Sequence, residues 1–346
     1  MASSLFYGIF TLRKKLYNAG VLYYMIPSFS DPLNTFATGV VFLKSILFRE
    51  NIVSKNTCSK LYLFTRLFSK NKDERVVFIP IEYKCLLAKK GDLIILPDDS
   101  LRSIKSIAKV RLINRSYLKY IYQVYRYIIT YAMIYSLRRC VLYTVSKDDE
   151  ASLKSRFPKN NIKYLPHPIQ ARYNSGVICC FTSNIKTIGF INLQSHYSVD
   201  AAAFLSNSDF VELKNKTIIF HGSACKNWFQ KANELYDGAD FIEKIFVEDF
   251  DALFDSLDLV VMPLEAGAGV KNILLNSVYK NKLVFGTKEA FSGIPEHLAK
   301  PFIINKIGDV NEKLKIIISL ANDFFELRKY ILEHHTVENF KFALCE

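Results

Sequence analysis

One short loop in this chain carries the residue types that hold an anion. It lies in Leu257-Asp-Leu-Val-Val-Met-Pro-Leu-Glu265-Ala-Gly267-Ala268-Gly269-Val270-Lys271-Asn-Ile-Leu-Leu-Asn276, where an apolar run ends at Pro263 and a helical pattern opens near Val270. Glycines 267 and 269 let backbone N–H groups approach an anion closely, and the start of a helix adds its positive end. Lys271 stands in the expected first turn, within reach of a phosphate oxygen. The loop is neither a Walker A loop nor a dinucleotide fingerprint, because GxxxxGK[ST] is absent and Asn272 fills the third glycine position of GxGxxG. A GxG turn between strand and helix also serves ordinary tight packing.

The second candidate is the acidic pair Asp98-Asp99, which closes the apolar run Asp92-Leu-Ile-Ile-Leu-Pro97 and precedes a helical pattern. A carboxylate at a strand end can orient or deprotonate a hydroxyl group. An Asp at a helix start equally serves as its cap. Asp99 is read as the cap and Asp98 as the group facing a cleft, with the reverse left open.

The elements that must position these residues alternate β-branched runs with helical stretches, the pattern of parallel α/β layers. Strands are expected at Val21–Ile26, Leu61–Thr65, Val76–Pro80, Asp92–Leu96 and Val141–Val145, with helices at about 35–49, 100–109, 112–137 and 147–156. Pro166-His167-Pro168 breaks the alternation, and it restarts with strands at Thr187–Ile191, Thr217–His221, Asp240–Lys244, Leu259–Pro263, Leu283–Thr287 and Phe302–Ile304. Helices should fill 199–206, 226–236, 249–256, 270–280 and 308–322. At 346 residues the chain holds about two domains of roughly 150 residues each. The expected division is 1–168, 169–322, and a helical tail 323–346 that packs back toward the first domain. Two doubly wound sheets would place a ligand at the C-terminal ends of their strands.

Composition narrows the class. Half the residues are apolar and 23% are charged, which excludes wholesale disorder. Seven scattered cysteines without a CxxC read as free thiols in a reducing compartment and assemble no zinc site. His334-His335 has no partners at ligand spacing, so no metal is assigned. The basic cluster Arg13-Lys14-Lys15 follows its apolar stretch, the reverse of a signal peptide, and no window is apolar enough to span a bilayer. A cytoplasmic protein is the expectation.

Charge is divided unevenly. Residues 1–168 carry 28 Lys and Arg against 11 Asp and Glu, a net +17, whereas residues 169–346 carry 18 against 22, a net −4. Such asymmetry calls for an anionic partner of the first half. Arg111, Arg115 and Lys119 step by four and Arg126 follows, so one helix would set them on a shared face beside seven tyrosines from Tyr117 to Tyr135. Basic and tyrosine side chains together suit the headgroups of an anionic membrane, stacking on single-stranded nucleic acid, or a helix with its Tyr face packed inward. With no nucleic-acid reading motif in the chain, the expected partner is an anionic membrane surface and not a nucleic acid.

The GxG loop, continued through Ser277-Val-Tyr-Lys-Asn-Lys-Leu-Val-Phe-Gly-Thr-Lys-Glu-Ala-Phe-Ser-Gly293-Ile294, resembles the donor-site region of family 4 glycosyltransferases. Upstream, Thr144-Val-Ser146-Lys-Asp-Asp-Glu-Ala-Ser-Leu and Ile162-Lys-Tyr-Leu-Pro-His-Pro168 resemble that family's segment ahead of its interdomain linker. Ile188-Gly-Phe-Ile with Asp200-Ala-Ala-Ala-Phe204, then Thr217-Ile-Ile-Phe-His221-Gly222, resemble the opening strands and helix of its donor domain. The resemblance covers about residues 92–295. It implies a GT-B fold, with two Rossmann-like domains facing across a cleft: the first takes the acceptor and the second a nucleotide-sugar.

The resemblance further implies retaining transfer of a hexosyl-type sugar, a glycan or lipid-linked acceptor, and work on surface polysaccharide or lipopolysaccharide at the inner face of the cell membrane. No cofactor and no metal is implied, the nucleotide-sugar being a co-substrate. Asp98, Asp99 and Lys271 become catalytic candidates. His221, Gly222, Glu265, Gly267, Ala268, Gly269, Val270 and Asn276 become donor-binding candidates, and Arg111, Arg115, Lys119 and Arg126 membrane-facing ones. The family's paired glutamates, with seven residues between them, are replaced here by Ala268 and Asn276. Asn276 can still hydrogen-bond a ribose, while Ala268 cannot contact a sugar hydroxyl; Glu265 is the nearest substitute. Asn192 to His196 stands where the family carries an Arg and Lys pair. Asp249-Phe-Asp251 matches the metal-binding DxD of a different glycosyltransferase fold, but in the acidic run from Glu248 to Asp258 it reads as a solvated helix start. A catalytically degraded relative that scaffolds an active enzyme is the alternative function.

Overall fold

A computed structural model of the chain describes residues 22–25, 43, 53–57, 76–79, 83–113, 115–169, 185–194, 197–206, 213–247 and 250–345. It divides into two compact units: 1–97 with 128–145 and 150–164, and 98–127 with 146–149 and 165–346.

The first sheet begins with β1 (Leu22–Met25), β2 (Val53–Thr57), β3 (Val76–Phe78) and β4 (Leu93–Leu96). Two helices follow, α1 (Ser100–Ile113) and α2 (Tyr117–Ser136), then β5 (Val141–Thr144), α3 (Lys147–Arg156) and β6 (Asn161–Tyr164). The strands pair in parallel in the order β2-β1-β3-β4-β5-β6. Every side chain of β4 (Leu-Ile-Ile-Leu) is buried, as a parallel strand covered on both faces requires. The expected strand Leu61–Thr65 lies outside the described residues, as does the helix expected at 35–49 apart from Leu43, which is helical and buried. β2 (Val-Ser-Lys-Asn-Thr) and β6 (Asn-Ile-Lys-Tyr) were not foreseen, because both are edge strands whose polar residues break the apolar run.

The second sheet is built from β7 (Thr187–Phe190), α4 (Ala201–Leu205), β8 (Thr217–His221), α5 (Cys225–Leu235), β9 (Asp240–Lys244), α6 (Phe250–Asp255), β10 (Leu259–Met262), α7 (Asn272–Tyr279) and β11 (Leu283–Gly286). After them come α8 (Glu296–Ala299), α9 (Ile307–Lys315), α10 (Ala321–His334) and α11 (Val337–Cys345). All five strands are parallel, in the order β9-β8-β7-β10-β11. The winding direction reverses between β7 and β10, and ligands of such sheets bind outside the carboxyl ends of the strands at that reversal. Phe190, Phe204, Phe220 and Trp228 form one aromatic cluster over the sheet, with ring centroids 5.2–6.3 Å apart. The expected strand Phe302–Ile304 is instead a 3-10 turn, Lys300–Phe302, followed by one bridge from Ile303 to Gly286. Pro301 has no N–H for a ladder. The tail helix α10 packs on α7 and α8, and Phe324 meets Phe302 edge-on at 6.3 Å.

The break expected between the helices at 100–109 and 112–137 lies about one turn later. α1 ends at Ile113, and Arg115 takes a left-handed φ of 53°. The Ser116 N–H reaches the Arg111 carbonyl at 2.9 Å and the Arg115 N–H the Leu112 carbonyl at 3.0 Å. That pair of bonds is a Schellman stop, with Arg where glycine is usual, so no residue type announced it.

Within the second unit, His167 and His335 tie Pro166-His167-Pro168 to the end of α10. His335 Nδ1 lies 2.8 Å from the His167 carbonyl, and the Ile169 N–H donates to the His335 carbonyl at 2.7 Å. Burial depresses both imidazoles, His167 to about 3, with His335 adding repulsion, and His335 to about 4. The unfolded chain, with His near 6.5, therefore binds more protons than the native state in this window. Stability should be complete above pH 6.5 and fall on acidification toward pH 4, each His contributing about 1.4 kcal/mol per pH unit. In urea titrations across that range, His335→Asn, which keeps a short polar donor, should flatten the slope by about one proton; an unchanged slope would refute the assignment.

Candidate functional site

The GxG loop joins β10 to α7, so it leaves the carboxyl end of the strand at the point of reversal. The segment after β7 holds it there. Glu265 and Ala266 donate their N–H groups to the Tyr197 carbonyl at 2.6 and 3.1 Å, and Val199 donates to the Pro263 carbonyl at 3.0 Å. Thr287, after β11, hydrogen-bonds both the N–H and the carbonyl of Leu264. Gly267 has φ 131° and Gly269 φ 68°, conformations that favour glycine at both turns.

Lys271 is the N-cap residue of α7, so the helix starts at Asn272, two residues later than expected. Its ammonium folds back onto the loop, with Nζ 2.5 Å from the Ala268 carbonyl and 3.1 Å from that of Gly269. Burial lowers its pKa to about 8, against the opposing pull of Asp98 and Asp149. Among the described residues no acceptor meets the N–H groups of Ala268, Gly269, Val270 or Lys271. The Gly267 N–H, by contrast, donates to Ser106 Oγ of α1 at 3.2 Å. Of the N–H groups expected to hold an anion, Gly267 to Val270, that of Gly267 is thus already taken.

The structure brings Asp98 to this loop. Burial raises its carboxyl pKa, while Lys271, within electrostatic reach, and hydrogen bonds from Ser100 and Ser103 lower it. Asp99 is corrected as a catalytic candidate. Its Oδ1 accepts the Leu101 and Arg102 N–H groups, both at 3.1 Å, so the carboxylate is committed to capping α1.

A third carboxylate, Asp149, was missed. It is fully buried in the first turn of α3, accepts the Asp99 N–H at 3.1 Å and lies 3.8 Å from Arg102 Nη1. Burial is the main reason its pKa rises to about 6. Ser103 and Tyr197 were missed too; they are hydrogen-bonded to each other, and Tyr197 lies in the field of Asp98. These residues sit in separate stretches of chain, so no local spacing could have grouped them, although the Ser146-Lys-Asp-Asp149 segment had been singled out. All of them belong to the second unit.

The other donor-side candidates divide. His221 ends β8 almost fully buried and lowered in pKa by burial and by Lys244; its ring meets Phe250 edge-on at 5.0 Å, and its Nδ1 has no hydrogen-bond partner. Gly222 is dictated by contact: with φ 128°, a Cβ there would lie 2.3 Å from the Leu193 carbonyl oxygen. Ala268 and Val270 are buried, Asn276 is partly exposed on α7, and Glu265 is exposed. Asp249 lies outside the described residues, and Asp251 pairs with Lys280 at 3.1 Å. Among the described residues no group of three His, Cys, Asp or Glu gathers as metal ligands. Arg111, Arg115 and Lys119 do not share a helix face, since the Schellman stop at Arg115 separates α1 from α2.

No protein-family model matches the chain, and no curated protein matches it in sequence. Solved structures do. The HepE protein Alr3699 of Anabaena, solved with UDP, shares 12% identity at a TM-score of 0.58, over 94% of this chain and 98% of that one. The same protein solved with UDP-glucose superposes at 0.57 over the same shares, again at 12% identity. A glycosyltransferase of Rickettsia africae gives 0.54 at 12% identity, over 92% and 95%. An α,α-trehalose-phosphate synthase (UDP-forming) of Burkholderia vietnamiensis gives 0.54 at 6% identity, over 96% of each chain. The fold is therefore that of the GT-B glycosyltransferases.

Two outcomes follow from the geometry of the turn. Affinity for inorganic pyrophosphate, measured by calorimetry, should fall above pH 8 by up to tenfold per pH unit as Lys271 loses its proton. Lys271→Arg, which stays charged, should bind without that decline; a wild-type profile flat to pH 10 would refute the role of Lys271. At Gly293 (φ 83°) a Cβ would lie 2.5 Å from Val270 Cγ2 and 2.9 Å from Ser146 Cβ. Gly293→Ala should lower stability by about 1–3 kcal/mol through overpacking and strain, read from urea midpoints; an unchanged midpoint would show that the contact is slack.

Proposed function

We propose that the chain is a glycosyltransferase that takes a nucleotide-sugar and passes a hexosyl-type sugar, with retention, to a lipid-linked glycan in surface polysaccharide or lipopolysaccharide assembly. The observation that carries this reading is the turn at the reversal of the second sheet, where Lys271 and unpartnered N–H groups stand beside Asp98. Residues 169–322 take the donor in this reading, residues 1–168 serve the acceptor, and the protein works at the inner face of the cell membrane.

The chemistry follows from the groups present. Below pH 8 Lys271 is an ammonium, now satisfied by two carbonyl oxygens of its own loop. An arriving diphosphate offers it charged oxygens instead, and a charge-assisted bond is the stronger of the two. The N–H groups of 268–271 and the positive end of α7 face the same charge, and they hold it in the transition state as the sugar leaves its phosphate. Asp98, its pKa raised by burial, is placed to orient the acceptor hydroxyl and draw off its proton. His221 and Asn276 serve the nucleoside end of the donor. UDP-sugars head the candidates because HepE was solved with UDP and with UDP-glucose. No metal is required in this scheme, since helix, backbone and Lys271 carry the diphosphate.

A second reading is a catalytically degraded relative that scaffolds an active enzyme. It is favoured by buried Ala268 and by Asn276 at the positions of the family's glutamates, with Glu265 exposed rather than turned inward.

A thermal-shift screen of UDP-, dTDP-, GDP- and CMP-sugars should find one donor that stabilises the protein, by about 2.7 kcal/mol at 100 times Kd. Lys271→Ala should weaken that donor by about 1.5–3 kcal/mol, and EDTA should leave binding and turnover intact. Turnover lost on chelation and restored by Mn²⁺ or Mg²⁺ would overturn the metal-free scheme; no shift with any donor would overturn the enzyme. Donor binding without turnover on any glycan acceptor would favour the scaffold.

A further inference from the structure

Helix α2 (Tyr117–Ser136) wears its apolar face outward. Gln123 and Thr130 are among its buried positions, whereas Leu118 is 85% exposed and Ile121, Tyr122, Tyr125 and Ile128 are 58–62% exposed. That inverts the order of a helix meant to face water. Positions 118, 121, 125 and 128 recur at helical spacing and form one stripe, which Tyr122 and Ile129 widen. Lys119 and Arg126, seven residues apart, run along one edge of it. From residue 100 to residue 147 the chain has no Asp or Glu but ten Lys and Arg. Two guanidinium groups lie over exposed rings, Arg126 at 5.9 Å from the Tyr122 centroid and Arg138 at 3.7 Å from that of Tyr135.

The chemistry selects one occupant. The stripe is mostly aliphatic, with Leu118, Ile121, Ile128 and Ile129 around Tyr122 and Tyr125, and its cations stand at the edge, where a nucleic acid would need stacking rings throughout and central cations. It is bordered by cations without a single balancing acid, which suits a surface of fixed negative charge. Tyrosine belongs at the headgroup level of a bilayer, aliphatic groups just below it, and Lys and Arg on the lipid phosphates. Among the described residues no helix is long and apolar enough to cross a membrane. We propose that α2 lies in the plane of an anionic bilayer, with Leu118, Ile121, Tyr125 and Ile128 immersed and Lys119 and Arg126 on lipid phosphates. This deepens the membrane part of the proposed function by naming the surface, and it does not depend on the donor.

Both apolar burial and charge hold such a helix, so its salt response differs from that of a basic patch alone. The full chain is sedimented with phosphatidylglycerol-containing vesicles and with pure phosphatidylcholine vesicles across a salt series. Wild type should bind the anionic vesicles and keep part of that binding at high salt. A Leu118→Ser/Ile121→Ser/Ile128→Ser variant should lose tenfold or more, with the remainder gone at high salt. A Lys119→Ser/Arg126→Ser variant should lose its preference for anionic vesicles, at about fivefold per cation. All five positions are exposed, and unchanged thermal midpoints confirm the fold.

The proposal is overturned if the apolar variant binds like wild type, or if high salt releases wild type completely. It is overturned equally if the stripe mediates a dimer in buffer while vesicle binding ignores it, or if single-stranded RNA binds more tightly than vesicles at matched salt. Donor binding by the same variants separates the two readings. Vesicle binding through α2 without donor binding overturns the enzyme alone; donor binding without vesicle binding overturns the membrane helix alone.

Discussion

The ammonium group of Lys271 gathers the turn on which the site depends. Between β10 and α7 the chain reverses through two glycines, which brings the carbonyls of Ala268 and Gly269 together on one side. Two convergent carbonyl dipoles repel each other, and a cation between them relieves that repulsion. Its position at the head of α7 is otherwise poor for a positive charge, since the helix dipole opposes it. The carbonyls and the nearby carboxylates Asp98 and Asp149 offset that cost. An anion arriving at the turn therefore finds a cation already in place, and the N–H groups of the turn beside it.

Asp98 and Asp149 both act on this cation, and with Asp99 between them in the hydrogen-bond network their environments give them different work. Asp99 Oδ1 caps α1, and Asp149 holds the Asp99 N–H and faces Arg102. Asp98 is left in the field of Lys271 with only serine hydroxyls for partners. Burial raises Asp98 and lowers Lys271, drawing the acid and the base toward each other on the pH scale. Such a pair exchanges charge with a ligand at small cost, as a binding or proton-transfer site needs. The first part of α2 follows the opposite rule, with Gln123 and Thr130 inward and Leu118, Ile121 and Ile128 outward, before Met133 and Ile134 pack inward. The two features place chemistry on one part of the chain and attachment on another.

Much of this was legible in the residues themselves. Parallel strands buried on both faces must be apolar runs, so β3, β4, β5, β7, β8, β10 and β11 stand out in the sequence. The GxG turn followed by Lys271, and Asp98-Asp99 at a strand end, are local patterns whose chemistry depends on a few adjacent residues. The edge strands β2 and β6 escaped, because their polar residues break the apolar run. The stop between α1 and α2 was placed about one turn too early, because Arg115 fills a position that glycine usually marks.

What only the tertiary structure decided is which groups meet. Asp149 joins Asp99 across fifty residues, Ser106 takes the Gly267 N–H across 161, and Tyr197 clamps the loop after β10. No periodicity encodes such contacts, since each joins residues from distant parts of the chain. The orientation of α2 belongs to the same class. Its composition reads as amphipathic either way round, and packing selected Gln123 and Thr130 for the inside. Local chemistry, set by neighbours in the chain, is written in the sequence, whereas partners and exposure are set by neighbours in space and emerge only when the sheets assemble.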